Sequence, residues 1–341
     1  MIDSQNMLGA VAGLPEQIQE AYRLGLEADL PGEKEIKNIV VAGLGGSAIG
    51  GDLLRVYAGD KSDIPVNVVR DYILPRYVNK NSLVIATSYS GNTEETLHTF
   101  AEAKRRGASI VVITSGGKLA EEAGQSRIPA IIIPSGISPR AATGFLFIPA
   151  VVLLNRLGLA GGAEADIKET VGILKLLRDE LSGDVPAEKN SAKQIASFFK
   201  DGIPIIWGAS GTSEVVAQRW KGQINENAKS PAYWNVFPEL NHNEIVGFEA
   251  PGELLPKLRV VILRDENDHP QVKKRMDITK SIIKGAGVGV QEVLSRGKSY
   301  MARVYSLIYP GDYASIYLAC YYDIDPGPVK MIDHLKQELA R

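Results

Sequence analysis

The chain has 341 residues, 45% of them hydrophobic, and a formal net charge of −2, so it is long enough for two ordinary domains with real cores. The near balance of charge leaves no basic excess for nucleic acid or an anionic membrane, and any anionic ligand must be held by local geometry. A lone cysteine, Cys320, excludes an internal disulfide framework and a cysteine-based zinc site.

The stretch MIDSQNMLGAVAGLPEQIQEAYRLG is amphipathic and acidic rather than signal-like. No apolar run reaches about 18 residues, so no membrane span is expected, and the cysteine usage fits a reducing, cytoplasmic location. Residues 8–28 have apolar positions at helical spacing and read as one helix. In IKNIVVAGLGGSAIGGDLLRVYA a short apolar strand, Ile39 to Ala42, meets a glycine turn, and a helix starts near Ala48. PVNVVRDY is a second strand, and SLVIATSYSGNTEETLHTFAEAKRRGA reads as strand, polar turn and helix. SIVVITSGG is another strand, LAEEAGQ a helical turn and IPAIIIPS a fifth strand. Apolar strands alternating with amphipathic helices predict a parallel sheet covered on both faces.

AATGFLFIPAVVLLNRLGL is a helix partly hydrophobic all round, of the kind buried in a core or a subunit interface. Two more helices in residues 163–200 flank SGDVPAEKN, a domain connection. The pattern then restarts. GIPIIWGASGTSEVVAQRWKGQINENA echoes the first Gly-rich unit, and KLRVVILRDENDHPQVKKRMDITKSIIKGAG echoes the later one, before a strand VGVQEVLS. The fold class expected is α/β, with two doubly wound, flavodoxin-like parallel-sheet domains of similar topology. They occupy 1–155 and 196–341, with a helical connection over 156–195.

The run VIATSYSGNTEETL ends a strand in four hydroxyls, Thr87, Ser88, Ser90 and Thr93. Ligands of open parallel sheets sit beyond the carboxyl ends of the strands. A helix N-terminus there offers unpaired N–H groups and partial positive charge. Hydroxyls add short rotatable donors, and Gly91 lets the backbone approach closely. A phosphate can be held this way without lysine. The plainer alternative is a capping box built on Ser90, Thr93 and Glu94. Capping needs one hydroxyl rather than four, so phosphate binding is favoured with one hydroxyl capping the helix. GLGGSAIGG is a weak nucleotide motif, with glycines off the GxGxxG spacing and no GK[ST], but it brings Ser47 and backbone N–H groups to the same place. The second half has RDENDHP where the first has SYSGNTEE, which predicts that phosphate-type chemistry is kept only in the first.

GLGGSAIGGDLL with SYSGNTEET resembles the sugar isomerase (SIS) domain, which binds phosphorylated sugars. SPRAATGFLF, QRWKGQINENAK and FPELNHNEIVGF extend the match, from about residue 35 onward, to the bifunctional phosphoglucose/phosphomannose isomerase family. The resemblance implies that glucose 6-phosphate and mannose 6-phosphate both interconvert with fructose 6-phosphate, without cofactor or metal, at steps shared by glycolysis and gluconeogenesis. It implies a phosphate site made by Gly46, Ser47, Ser88, Ser90 and Thr93. It implies Glu226 as the base and Arg140 beside the developing enediolate. It gives His242 ring opening, from the neighbouring subunit, and Lys336 the same task, on distance from the terminus rather than on a motif. The shared histidine and the apolar 145–158 helix point to a homodimer.

Each residue has a duller reading. Glu226 is an ordinary helix carboxylate, His242 a loop histidine in a turn made by Asn241, Asn243 and Glu244, Arg140 the partner of a nearby carboxylate, and Lys336 a solvated side chain. The four histidines, His98, His242, His269 and His334, form no HxH or HxxxH pair. Two other functions use the same pocket. A non-enzymatic sugar-phosphate sensor would bring a DNA-binding helix-turn-helix, and no basic helical segment supplies one. An SIS isomerase of another sugar phosphate is separable by a substrate panel.

Overall fold

The computed structural model describes residues 2–32 and 34–339. In chain order the elements are α1 (Met7–Ala12), α2 (Leu14–Glu27), β1 (Asn38–Ala42), α3 (Gly46–Gly59), β2 (Val66–Val69), β3 (Ser82–Ser88), α4 (Glu94–Arg105), β4 (Ser109–Thr114), α5 (Gly117–Gln125), β5 (Ala130–Ile132), α6 (Thr143–Arg156) and α7 (Ala163–Leu181). Then follow α8 (Ser191–Phe199), β6 (Ile203–Ala209), α9 (Glu214–Gln223), β7 (Tyr233–Phe237), β8 (Leu258–Arg264), α10 (Pro270–Gly285), β9 (Gly289–Leu294), α11 (Tyr300–Tyr321) and α12 (Lys330–Leu339).

The residues group into two compact units. The N-terminal unit is Gly13–Ile173 with Gly297–Ala302; the C-terminal unit takes the residues up to Ala12, Leu174–Arg296 and those from Arg303. Of 156–195, the stretch expected to connect two domains, residues up to Ile173 fall in the first unit and those from Leu174 in the second. Residues 8–28 make two helices rather than one. The chain breaks at Gly13, and Pro15 starts α2, where its missing N–H costs nothing because a first-turn amide has no intrahelical partner.

The sheet of the N-terminal unit has the order β2-β1-β3-β4-β5, and every pairing is parallel. β3 and β4 are buried at every position, as strands covered on both faces must be. One face packs Val84 and Val112 against Phe100 of α4 and Leu119 of α5. α6 is buried without a break from Thr143 to Leu154, packed against α2 and α3 of its own unit. Its apolar surface is consumed there. The helix therefore gives no support to a dimer interface, contrary to the expectation from its hydrophobicity.

The C-terminal sheet has the order β7-β6-β8-β9, again all parallel. It matches the first four strands of the other sheet, β2-β1-β3-β4, as the restarted pattern predicts. Trp207, Phe237, Val260, Ile262, Met276 and Ile283 form its core. Two elements went unread in the sequence. β7 is a short edge strand with Tyr233 and Trp234 exposed. α11 carries buried residues on all sides, among them Val304, Leu307, Ile308, Tyr313, Ile316 and Leu318, so it lacks the polar stripe that marks an amphipathic helix. Among the described residues no helix is long and apolar enough to cross a membrane.

Glu102 on α4 ties down the segment after β2. It accepts the backbone N–H of Leu74 at 2.8 Å and pairs with Arg106 at 2.7 Å. The Leu74 hydrogen bond, helped by Arg106 against partial burial, holds its carboxyl below the usual glutamate range. A depressed carboxylate contributes stability that is complete above the unfolded value, about 4.5, and is lost as pH falls through the folded one. Glu102→Gln should therefore lower the unfolding midpoint at pH 7, and the gap from wild type should shrink below about pH 4.5. Denaturant titrations at the two pH values measure both.

Candidate active site

Strand order in the N-terminal unit reverses between β1 and β3, the topological switch point at which open α/β sheets bind ligands. Two turns meet there. β1 leads through Gly45 into α3, whose first turn carries the buried Ser47; β3 ends at Ser88 and leads into α4. The backbone N–H of Tyr89 donates to Ser47 Oγ at 3.3 Å, which ties the turns together. Ser88 Oγ and Thr93 Oγ1 are hydrogen-bonded at 2.9 Å, and the Gly91 N–H donates to Ser88 Oγ at 3.1 Å. Ser90 is exposed, its Oγ accepting from the Asn92 N–H at 3.3 Å. Gly91 has a φ of 69°, and a Cβ there would lie 1.8 Å from the Gly116 carbonyl oxygen; only glycine fits.

The capping role expected for one hydroxyl is not filled. Thr93 occupies the N-cap position of α4 but makes no capping hydrogen bond, its hydroxyl being engaged with Ser88 instead. α3 also starts without a side-chain cap, at Gly45. Two helix starts thus lie at neighbouring strand ends with the positive ends of their dipoles outward; the first-turn N–H groups of α4 lack intrahelical partners, while at α3 the Ser47 and Ala48 N–H groups donate to the Leu44 carbonyl at 3.1 and 3.4 Å. Thr87 Oγ1, buried at the same strand end, has no hydrogen-bond partner. The donor set is neutral and suits an anion.

Arg140 belongs to the same neighbourhood. A Cβ on Gly46 would lie 2.8 Å from the Pro139 carbonyl oxygen and 3.6 Å from Arg140 Cα, so the Arg140 segment lies against the α3 turn. The arginine is 6% exposed.

In the C-terminal unit, α9 widens into a single π turn, Ile224–Ala228, closed by Lys229 in the left-handed region. Such turns are frequent at functional positions. Glu226 lies on it, half-buried. The flanking polar groups hold the turn: Asn225 Nδ2 donates to the Ser230 carbonyl at 2.8 Å, and Lys229 Nζ donates to the Glu226 carbonyl at 2.6 Å. His242 ends a 3₁₀ turn, Glu239–His242, and is exposed. Its neighbours make the turn, as the duller reading has it. Asn241 Nδ2 donates to Thr279 Oγ1 at 2.8 Å, Asn243 Oδ1 accepts the Glu244 N–H at 2.6 Å, and Glu244 accepts from Trp207 Nε1 at 3.0 Å and from Asn235. Lys336 is exposed on α12, which has no buried residue.

The C-terminal counterpart of the hydroxyl cradle is already filled. Thr212 Oγ1 donates to Asp268 Oδ1 at 2.5 Å, the Asp265 N–H donates to Asp268 Oδ2 at 2.9 Å, and Arg303 Nε donates to Asp265 at 2.9 Å. Ser213 Oγ is occupied by the Ala209 N–H and the Leu263 carbonyl. Burial pushes the Asp268 carboxyl up, opposed by the Thr212 and Asp265 hydrogen bonds. Carboxylates of the chain stand here where the first unit has open donors.

Residues 34–135 match the SIS domain, and residues 188–339 match the bacterial phospho-glucose isomerase C-terminal SIS domain. A bifunctional phosphoglucose/phosphomannose isomerase of Caldicellulosiruptor bescii is 54% identical over 335 residues, 98% of this chain and 99% of that one. The chain belongs to the bifunctional phosphoglucose/phosphomannose isomerase family. A second member, from Aquifex aeolicus, is 40% identical over 306 residues, 89% of this chain and 91% of its own. A hypothetical protein of known structure from Thermus thermophilus shares the fold, with a TM-score of 0.75 at 17% identity, over 99% of this chain and 91% of that one.

For this family member, the structure gathers Gly46, Ser47, Ser88, Ser90, Thr93 and Arg140 in the N-terminal unit. Glu226, His242 and Lys336 lie on separate elements of the C-terminal unit. Among the described residues no three His, Cys, Asp or Glu side chains cluster as metal ligands would. His269 caps α10 by accepting the Gln271 N–H at 3.1 Å, and His98 packs edge-on against Tyr72.

Two supporting residues escaped the sequence reading. Gln17 of α2 donates from Nε2 to the Ala141 carbonyl at 3.0 Å and accepts the Gly144 N–H at 2.7 Å, capping α6 from another helix and fixing the segment after Arg140. Tyr89 donates its hydroxyl to the Pro134 carbonyl at 3.1 Å and accepts the Ile137 N–H at 3.2 Å, bracing the loop before Arg140. Its place in SYSG, among the hydroxyls, was the available signal. Tyr89→Phe should speed amide exchange at Ile137 by about tenfold, the equivalent of one hydrogen bond, while β3 and β4 keep their protection. Hydrogen-exchange mass spectrometry reads both.

Proposed function

We propose that the chain is an aldose–ketose isomerase that interconverts glucose 6-phosphate and mannose 6-phosphate with fructose 6-phosphate through a cis-enediol. The observation that carries this reading is the 54% identity, over nearly the whole of both chains, to a relative named for these two activities. The geometry of the N-terminal unit supports the phosphate part: two uncapped helix starts and a hydroxyl cluster at the switch point.

The phosphate is assigned to Gly46, Ser47, Ser88, Ser90 and Thr93, which donate hydrogen bonds without a lysine. Glu226 is the base. It removes the proton from C2 of the open aldose and returns it to C1, a transfer between adjacent carbons on one face of a planar intermediate. Glucose and mannose differ at C2, and that difference vanishes in the enediol, so one carboxylate serves both epimers when the intermediate turns either face of C2 toward it. Arg140 stabilises charge on the enediolate oxygens; one such donor is worth roughly 3–4 kcal/mol in comparable sites. His242 opens the ring, as an imidazole can both take up and give a proton, and it acts from the second subunit of a homodimer. Lys336 assists ring opening. The substrates belong to glycolysis and gluconeogenesis, and the enzyme works in the cytoplasm.

Glu226→Gln keeps the shape and removes the base. Turnover of both aldose phosphates should fall together by about 10²–10⁴-fold, with fructose 6-phosphate binding retained by calorimetry. Coupled assays in EDTA read turnover, and wild-type rates in this variant would sink the reading. Inert wild-type protein that still binds fructose 6-phosphate would favour a sensor. Ser47→Ala should act on binding instead, raising KM about 10–100-fold, the usual range for one hydrogen bond to a charged group, with kcat little changed.

A further inference from the structure

Glu226 sits on the one π turn of α9, and a wide turn is a poorly determined platform for a proton-transfer group unless something outside the helix fixes it. The next residue, Asn227, is 1% exposed. Its Nδ2 donates to Gln223 Oε1 at 3.1 Å, back across the turn, and to Ser315 Oγ on α11 at 2.9 Å. Ser315 Oγ in turn donates to the Asp312 carbonyl at 2.7 Å. Asp312 also holds Arg219 of α9 in a buried ion pair, with Nε and Nη2 donating at 3.1 and 2.7 Å. Trp220 Nε1 donates to the Leu307 carbonyl at 2.9 Å. α9 is therefore bolted to α11 one to two turns before the π turn and again inside it.

We infer that Asn227, through Ser315, is a positioning residue for Glu226: its amide sets the register of the π turn against α11 and thereby the direction in which the carboxylate points. The inference rests on Glu226 being the base. The division of labour along the seam is the reason for it. Arg219, Asp312 and Trp220 already secure α9 to α11, so the stability of the helix pair does not require a further polar link. Asn227 is the link that lies beside the carboxylate. An amide is suited to the task because its two N–H donors reach the helix it leaves and the helix it faces at once, and because it carries no charge to compete with Glu226 for a proton. Catalysis is sensitive to such support, since a misplacement of about 1 Å costs roughly 10²-fold.

The test is steady-state kinetics of Asn227→Ala, Ser315→Ala, the double variant and Glu226→Gln, with glucose 6-phosphate and mannose 6-phosphate and with unfolding midpoints recorded. Asn227→Ala should lower kcat roughly 10–100-fold for both substrates with KM within about twofold. Ser315→Ala should shift kcat in the same direction, and the double variant should be no slower than Asn227→Ala, because both break one linkage. Ser315→Thr, which keeps the hydroxyl, should recover the rate lost in Ser315→Ala. A folded Asn227→Ala enzyme at wild-type kcat overturns the inference, as does a KM rise that accounts for the whole loss. Should Asn227→Ala fail to fold, Ser315→Ala decides by the same criterion. Glu226→Gln separates the two claims: if it is inactive while Asn227→Ala runs at full rate, only the positioning role falls, and if it is fully active, the assignment of the base falls first.

Discussion

α3 and α4 begin side by side at the carboxyl ends of β1 and β3, and neither beginning is closed by a side chain. In a parallel sheet every helix that follows a strand starts on the same edge, so unpaired N–H groups and positive dipole ends collect there. Where the strand order reverses, two such starts diverge and leave a crevice. Ser47, Ser88 and Thr93 line this one, and the Tyr89 N–H holds the two turns in register through Ser47. Arg140 comes to its edge because the Pro139 carbonyl packs against Gly46, a contact that any larger residue would push apart.

The C-terminal unit shows what the same topology does when the crevice is given its own anions. Strand order repeats from one unit to the other, but Asp268 and Asp265 take up the hydroxyl of Thr212, a backbone N–H and the guanidinium of Arg303. Those groups solvate an internal carboxylate, and the turn becomes a structural joint. The chemistry proposed for this unit lies elsewhere, on the π turn after α9 and the 3₁₀ turn that ends in His242. Both are places where regular hydrogen bonding gives way and side chains from other elements must supply the order.

That requirement explains how the polar residues of the two strings are used. In LNHNE, Asn241, Asn243 and Glu244 are spent on Thr279, the turn backbone, Trp207 and Asn235, which leaves His242 as the outward-facing member. In INENAK, Asn225, Asn227 and Lys229 brace the π turn around Glu226. Motif residues beside a proposed catalytic group serve here as its scaffold.

Much of this was legible from one dimension. Alternating apolar strands and amphipathic helices identify a parallel α/β sheet, the restarted pattern identifies the second unit, and the glycine and hydroxyl strings mark the cradle and the family, because each is a local property of neighbouring residues. The chain alone did not disclose α11, whose buried circumference erases helical periodicity, nor that α6 is buried within its own unit rather than at a subunit contact. It did not disclose that the Thr93 hydroxyl turns to Ser88 instead of capping α4. Nor did it reveal Gln17 capping a helix 127 residues away, Tyr89 bracing the Arg140 loop, or Asn227 meeting Ser315 across 88 residues. Periodicity records which face of an element is apolar, whereas a hydrogen bond between distant residues exists only after packing has brought donor and acceptor within about 3 Å; that is why the kind of structure was written in the order of residues and the bracing of its site was decided by the fold.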